Sequence, residues 1–155
     1  MKKAFISFAV ILLGVAGTAY YHFLFDGRVL LKNETGRIVN LLSGTGIGKE
    51  FSLSEVCTPA DSVFVVEPYA SDFFKTNSHL QLMSGIKRSI ERQTMYDGYC
   101  QLLFVKGNKV VSYADISRSD ADFCGLDTCN LHHPNPKFPA AATLYLDEQK
   151  KAHLK

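Results

Sequence analysis

The N-terminal apolar segment constrains this chain more than any other stretch. Residues 4–25, AFISFAVILLGVAGTAYYHFLF, carry no formal charge and directly follow Met1-Lys2-Lys3. A helix of about 22 residues rises roughly 30 Å, which is the thickness of the hydrocarbon core of a bilayer. We therefore predict that residues 4–25 form a single transmembrane helix.

The charges beside this segment predict its orientation. Lys2 and Lys3 precede the apolar run, and lysine and arginine are retained on the cytoplasmic side of a membrane. The N-terminus is therefore expected in the cytoplasm, the helix in a bacterial inner membrane, and residues 26–155 in the periplasm. A cleaved signal peptide is the alternative, because Gly17-Thr18-Ala19 offers small residues for cleavage. We favour the uncleaved anchor, since cleavage after Ala19 leaves the apolar sequence YYHFLF at the new terminus.

The remaining residues, 26–155, are predicted to form one extracytoplasmic domain. They contain no internal repeat, proline-rich linker or low-complexity run, and their number suits one ordinary domain. The chain has a net charge of only +2, which gives no indication of nucleic-acid binding. The sequence SGTGIGKE at residues 43–50 departs from a nucleotide-binding P-loop, because serine replaces the first glycine and glutamate replaces the hydroxyl residue. We predict a flexible turn there and no nucleotide or other cofactor.

Four cysteines follow the apolar segment: Cys57, Cys100, Cys124 and Cys129. An even number of cysteines in an exported chain favours disulfide bonds, and four cysteines allow three pairings. We expect Cys124 to pair with Cys129, since the intervening loop CGLDTC contains a glycine that turns the chain back. Cys57 would then pair with Cys100 and tie an early loop to a central strand.

The patterns predict an α+β fold with an antiparallel sheet of five or six strands and one packed helix. β-favouring runs occur at residues 28–33, 37–42, 61–66, 99–105, 109–116 and 143–146. The first two runs are expected to form a hairpin around a glycine. A second hairpin is expected around Lys106-Gly107-Asn108, whose residues suit a tight turn. Residues 147–155 read as a polar tail that is helical or frayed.

Apolar residues recur at helical spacing between residues 78 and 95, and they predict the packed helix. These residues are Leu80, Met83, Ile86 and Ile90. Lys87, Arg88 and Arg92 point away from that apolar side, and we favour a solvated face there, with a binding face formed by these three residues as the alternative.

Cys124, Cys129, His132 and His133 are residue types that bind zinc, so they form a candidate metal site. Adjacent histidines rarely bind the same ion because their side chains diverge, and we favour a disulfide with a surface loop instead. A small envelope hydrolase is a further alternative. Its acid-base residue would be His79, His132 or His133.

The sequence shows no motif of a family that we recognise and no assembled catalytic pattern. We therefore expect a non-catalytic envelope protein whose exported domain binds a protein partner. An inhibitor or immunity protein, or an accessory subunit of an envelope complex, would fit this description. The histidine-dependent hydrolase and the zinc-binding domain remain the alternatives.

Overall fold

A computed structural model of the chain describes residues 13–20, 31–56, 59–82, 84–124, 126 and 137–155. Residues 13–20 are helical and exposed. In these ranges no helix combines the length and apolar character needed to span a bilayer. Most of the predicted span, residues 4–25, lies outside the described residues, so the anchor stays a prediction.

The elements after residue 31 are labelled in chain order. The strands are β1 (Lys32–Asn33), β2 (Glu50–Phe51), β3 (Ser62–Val66), β4 (Tyr99–Lys106), β5 (Lys109–Ser117), β6 (Lys137–Pro139), β7 (Leu144–Leu146) and β8 (Ala152–Leu154). The α-helices are α1 (Thr35–Thr45), α2 (Phe73–Thr76) and α3 (Ser84–Gln93), and a 3-10 turn covers Leu53–Glu55.

The described strands form two sheets. The larger has the order β1-β5-β4-β3-β6, and the smaller has the order β2-β7-β8. The α+β class is confirmed, as are the predicted strands that became β3, β4, β5 and β7. The wholly antiparallel sheet was a wrong prediction, because β1 runs parallel to β5 and makes the larger sheet mixed.

The predicted strand at residues 37–42 is wrong, because this stretch lies within α1. Ile38 and Leu42 are buried four residues apart, whereas Asn40 between them is exposed, which is helical rather than strand periodicity. Asn33 starts the turn by accepting a hydrogen bond from the Thr35 backbone N–H (2.9 Å). The predicted first hairpin therefore does not form.

Glu34 fixes the beginning of α1 against the larger sheet. Its backbone N–H donates to the Tyr113 carbonyl in β5 (2.8 Å), and its side chain is buried. Lys32 Nζ lies 2.7 Å from one carboxylate oxygen as an ion pair, and Arg37 donates to the other oxygen (3.2 Å). Two cations thus compensate the charge of a buried carboxylate.

The polar tail is a second correction, because part of residues 147–155 forms β8 against β7. Asp147 makes this return possible, since its carboxylate accepts hydrogen bonds from the backbone N–H groups of Gln149 and Lys151, each 2.9 Å long. His153 then stacks on Tyr145 with ring centroids 5.1 Å apart, and its ring nitrogen lies 2.9 Å from Asp147.

Two apolar cores cover the opposite faces of the larger sheet. Alternate residues of β4 face opposite ways, so Leu102 and Phe104 join one core and Leu103 and Val105 join the other. The first core also receives α1 and the smaller sheet. The second receives α2 and α3, and the helix predicted over residues 78–95 is in fact shorter, with α2 a separate turn.

Candidate binding surface

Four large apolar side chains remain exposed at one end of the larger sheet. They are Tyr69, Met95, Tyr96 and Tyr99, with exposed fractions of 69%, 73%, 60% and 42%. We call these four residues the tyrosine surface. Among the described residues after residue 31, the one other exposed large apolar side chain is Ile47, which lies beside the smaller sheet.

Three chain segments bring the tyrosine surface together. Val66 at the end of β3 pairs with Gln101 in β4, so the loop after β3 passes beside the first residues of β4, including Tyr99. The Tyr69 N–H donates to the carbonyl of Thr94 (2.7 Å), which precedes Met95 and Tyr96. The surface is therefore built by neighbouring backbones rather than by one mobile loop.

Tyr69 has a backbone conformation that bulky residues seldom adopt. Its φ is +63°, in the left-handed region, where a non-glycine residue typically carries 1–3 kcal/mol of strain. Its N–H bond to Thr94 and the bond from the Ser71 N–H to the Tyr69 carbonyl (2.8 Å) hold the residue in place. The strained residue places its aromatic ring in solvent and not in a core. Backbone strain of this kind often occurs at functional sites.

A polar depression of about 320 Å³ lies next to Tyr69. It is lined by Glu67, Pro68, Tyr69, Ala70, Ser71, Asp72, Phe73 and Thr76. Two of these residues are acidic and none is basic. Asp72 occupies the N-cap position of α2 without making a side-chain capping bond, and its side chain is 74% exposed. Its carboxylate is therefore accessible to a ligand.

Arg118 ties the segments behind the tyrosine surface to one another. Its Nε and Nη2 atoms donate to one carboxylate oxygen of Asp122 (3.2 and 2.9 Å), and its Nη1 donates to Asp97 (3.2 Å). The hydrogen bonds and charge of Asp122, and to a lesser extent Asp97 and Glu67, raise the pKa of Arg118. Asp97 lies between Tyr96 and Tyr99, so this forked contact restrains the middle of the surface.

A disulfide joins Cys100 to Cys124 immediately beneath the tyrosine surface. Both predicted pairings involving these cysteines, Cys124 with Cys129 and Cys57 with Cys100, are therefore wrong. The physical reason is the return of the chain after β5. Asp122 pairs with the strand-like backbone at Lys151, and this places Cys124 beside the buried start of β4. Cys57 and Cys129 lie outside the described residues.

Asp122 lies directly against this disulfide. Its Oδ1 accepts a hydrogen bond from the Cys124 backbone N–H (2.9 Å) and lies 3.6 Å from the Cys100 sulfur. Cys100, Asp122 and Cys124 are close enough to share a metal ion, but the disulfide occupies both sulfurs.

The residues singled out from the sequence lie elsewhere or outside the described ranges. Arg88 and Arg92 are exposed on α3, while Lys87 is half-buried with its Nζ 5.5 Å from the Phe74 ring centroid. Whether this basic face binds anything stays a prediction. His79 is exposed near the ring of Phe64.

The candidate metal site has only one member in the described part of the chain. That member is Cys124, which is bonded to Cys100. The other three candidate ligands, Cys129, His132 and His133, fall in ranges that the structure does not describe. The zinc site as a set is accordingly still a prediction.

Sequence reasoning missed the tyrosine surface, although a local signal exists. Residues 95–99, MYDGY, place three large apolar side chains in a stretch that also contains the helix-ending pair Asp97-Gly98. Large side chains in a turn between a helix and a strand are either buried by another segment or left exposed. The sequence alone does not distinguish these outcomes, and only the packing of the other segments does.

The described residues define an α+β domain that is cross-linked by a disulfide and exposes a tyrosine-rich surface at one end. No protein family, curated protein or solved structure gives a significant match to the chain. The function is therefore argued from this surface and from the sequence.

Proposed function

We propose that this protein is a bacterial inner-membrane protein whose periplasmic domain binds a protein partner through the tyrosine surface. In this proposal residues 4–25 anchor the chain and residues 26–155 form a non-catalytic domain of the inhibitor, immunity or accessory-subunit type. The observation that carries the proposal is the concentration of Tyr69, Met95, Tyr96 and Tyr99 at one end of the domain.

The chemistry of this surface favours a protein partner. Tyrosine and methionine are enriched in the centres of protein interfaces, where aromatic rings contribute contact area at a low entropic cost. The hydroxyl group of tyrosine also tolerates water, so such a surface is compatible with a free, soluble state before binding. Four exposed residues of this kind in one region therefore resemble the centre of an interface more than ordinary scattered exposure.

The support behind the surface fits a binding role as well. A binding site gains affinity when its side chains are already ordered before the partner arrives. The disulfide at Cys100 adjoins Tyr99, and Arg118 holds Asp97 between Tyr96 and Tyr99. The framework thus reduces the ordering that binding would otherwise require.

Export is supported by the sequence and by the chemistry of the disulfide. Lys2, Lys3 and the uncharged run of residues 4–25 have the arrangement of a signal anchor. Disulfides persist in oxidising compartments such as the periplasm and are rare in the cytosol. A periplasmic location is therefore the proposal that agrees with both features.

Site-specific photo-crosslinking in intact cells tests the proposal. A photoreactive phenylalanine derivative is placed at Tyr96 in the full chain, and the matched control carries it at Ile47, an exposed apolar position beside the smaller sheet. We expect a discrete adduct with another protein from position 96 and none from position 47. Indistinguishable adducts from the two positions, or none from position 96, would contradict the proposed interface.

Alanine replacement separates this proposal from the hydrolase alternative. Replacing His79, His132 and His133 together removes every candidate acid-base histidine that the sequence suggested. We expect the adduct at position 96 and any associated envelope phenotype to survive. Loss of the phenotype with retention of the adduct would favour the hydrolase over the binding protein.

A further inference from the structure

We propose that the partner docks a basic segment, in which lysine or arginine alternates with apolar residues, onto the tyrosine surface and its adjoining depression. This inference rests on the proposed function and specifies the chemistry of the partner. Its basis is charge complementarity between such a segment and the acidic border of the surface.

The segments that form the surface are more acidic than the exported domain as a whole. Residues 67–72 and 95–99 contain three carboxylates, Glu67, Asp72 and Asp97, and no lysine or arginine. Arg118 adds one positive charge from behind, which leaves these segments with a net charge of −2, whereas residues 26–155 as a whole have a net charge of zero. A basic partner would therefore be attracted to this end more than to the rest of the domain.

The charge of Arg118 is already neutralised. Arg118 donates to both Asp97 and Asp122, so its charge is matched by two carboxylates before any partner binds. Lys75, which lies in α2 between the lining residues Phe73 and Thr76, has its Nζ 4.0 Å from Asp72, and both side chains are highly exposed. Such an exposed contact is weak and is readily replaced by a better-placed cation.

Tyrosine rings beside carboxylates recognise cations through two effects together. An ammonium or guanidinium group is attracted to the face of an aromatic ring, and a neighbouring carboxylate adds a direct ionic contact. Tyr69 is exposed between Glu67 and Asp72 in sequence and lines the same depression as both. Met95, Tyr96 and Tyr99 remain for the apolar residues of the segment.

Fluorine NMR on the full chain in detergent micelles tests this inference directly. The chain is labelled with 3-fluorotyrosine and titrated with three soluble probe peptides of equal length, which alternate leucine with arginine, glutamate or glutamine. Single tyrosine-to-phenylalanine variants assign the resonances of Tyr69, Tyr96 and Tyr99. We expect the arginine peptide alone to shift these three resonances, and we expect its affinity to fall as salt is added.

Neutral replacements of the carboxylates then provide the decisive comparison. Glu67→Gln and Asp72→Asn should each weaken the arginine peptide roughly two- to fivefold, whereas the control Glu148→Gln, at an exposed site near the smaller sheet, should leave its affinity unchanged. Equal affinity of the three peptides, or no effect of either replacement, would overturn the basic-partner inference. Shifts that depend on protein concentration without any peptide would indicate a second copy of the chain as the occupant and would also overturn it. None of these results would remove an adduct at position 96, so the proposed interface is tested separately.

Discussion

The disulfide between Cys100 and Cys124 offers the most quantitative prediction. The bond closes a loop between residues 24 apart in sequence, and loop-closure entropy assigns such a cross-link about 3.5 kcal/mol at 25 °C. We expect Cys100→Ala/Cys124→Ala to lower the free energy of unfolding by about that amount. For a domain of this size the loss corresponds to a fall in Tm of roughly 10–15 °C.

Urea and thermal unfolding of the full chain in micelles, followed by circular dichroism, measure this loss. Cys100 is fully buried, so its truncation to alanine also leaves a small cavity whose cost must be separated from that of the bond. Comparing wild type and variant again under reducing conditions isolates the cavity, because neither protein then contains a disulfide. The difference between the oxidised and reduced comparisons is the contribution of the bond.

Two results would refute the reasoning about this bond. A contribution below about 1 kcal/mol would show that the cross-link does not restrain the unfolded chain as its loop length predicts. A non-reducing peptide map of wild type that links Cys124 to Cys129 would show that the pairing itself is wrong. If all four cysteines pair within the chain, the bond described here leaves Cys57 and Cys129 to each other.

Three further predictions concern single side chains. Tyr69 has a φ of +63°, which glycine adopts more readily than alanine. Tyr69→Gly should therefore be about 1 kcal/mol more stable than Tyr69→Ala in urea unfolding, although both variants lack the ring. Equal stability of the two variants would contradict the proposed backbone strain. Arg118→Lys keeps the charge but loses the two hydrogen bonds from the guanidinium group to Asp122. We expect the free energy of unfolding to fall by at most about 1 kcal/mol and amide hydrogen exchange at residues 95–99 to become faster. Unchanged exchange would show that Arg118 does not restrain the surface. The hydrogen bond with His153 is the main cause of a lowered pKa of Asp147, and hydrogen bonds from backbone N–H groups add to it. The ionised Asp147 carboxylate should therefore stabilise the fold fully above the ordinary aspartate pKa near 4. This stabilisation should disappear as the pH falls through the lowered pKa. Asp147→Asn should therefore flatten the acid side of the stability curve in unfolding experiments across pH, and an unaltered curve would contradict this.

Local patterns predicted the parts of the fold that depend on neighbouring residues. The β4–β5 hairpin follows from alternating apolar residues around a turn, and Gly107 indeed adopts the positive φ of +58° that the turn needs. The strand β3 was equally predictable from the sequence, since four consecutive apolar residues, all buried in the structure, end two positions before Pro68. These elements carry their own signals in sequence.

Features that depend on distant contacts were not predictable in the same way. Residues 37–42 are too few to distinguish a strand from a helix, and the β-branched Ile38 and Val39 favoured the wrong choice. β8 forms because β7 offers it a partner, and the disulfide forms because the chain returns to the start of β4 after Asp122. The tyrosine surface is likewise defined by what other segments leave uncovered.

Hydroxyl-radical footprinting tests the central claim, occupation of the tyrosine surface in the cell envelope, most directly. The method compares side-chain oxidation in purified full chain with oxidation in intact envelopes, and methionine and tyrosine are among its most reactive targets. We expect Tyr69, Met95, Tyr96 and Tyr99 to react in the purified chain and to be protected in envelopes, while Ile47 reacts equally in both. Equal oxidation of the tyrosine surface in the two preparations would contradict the account.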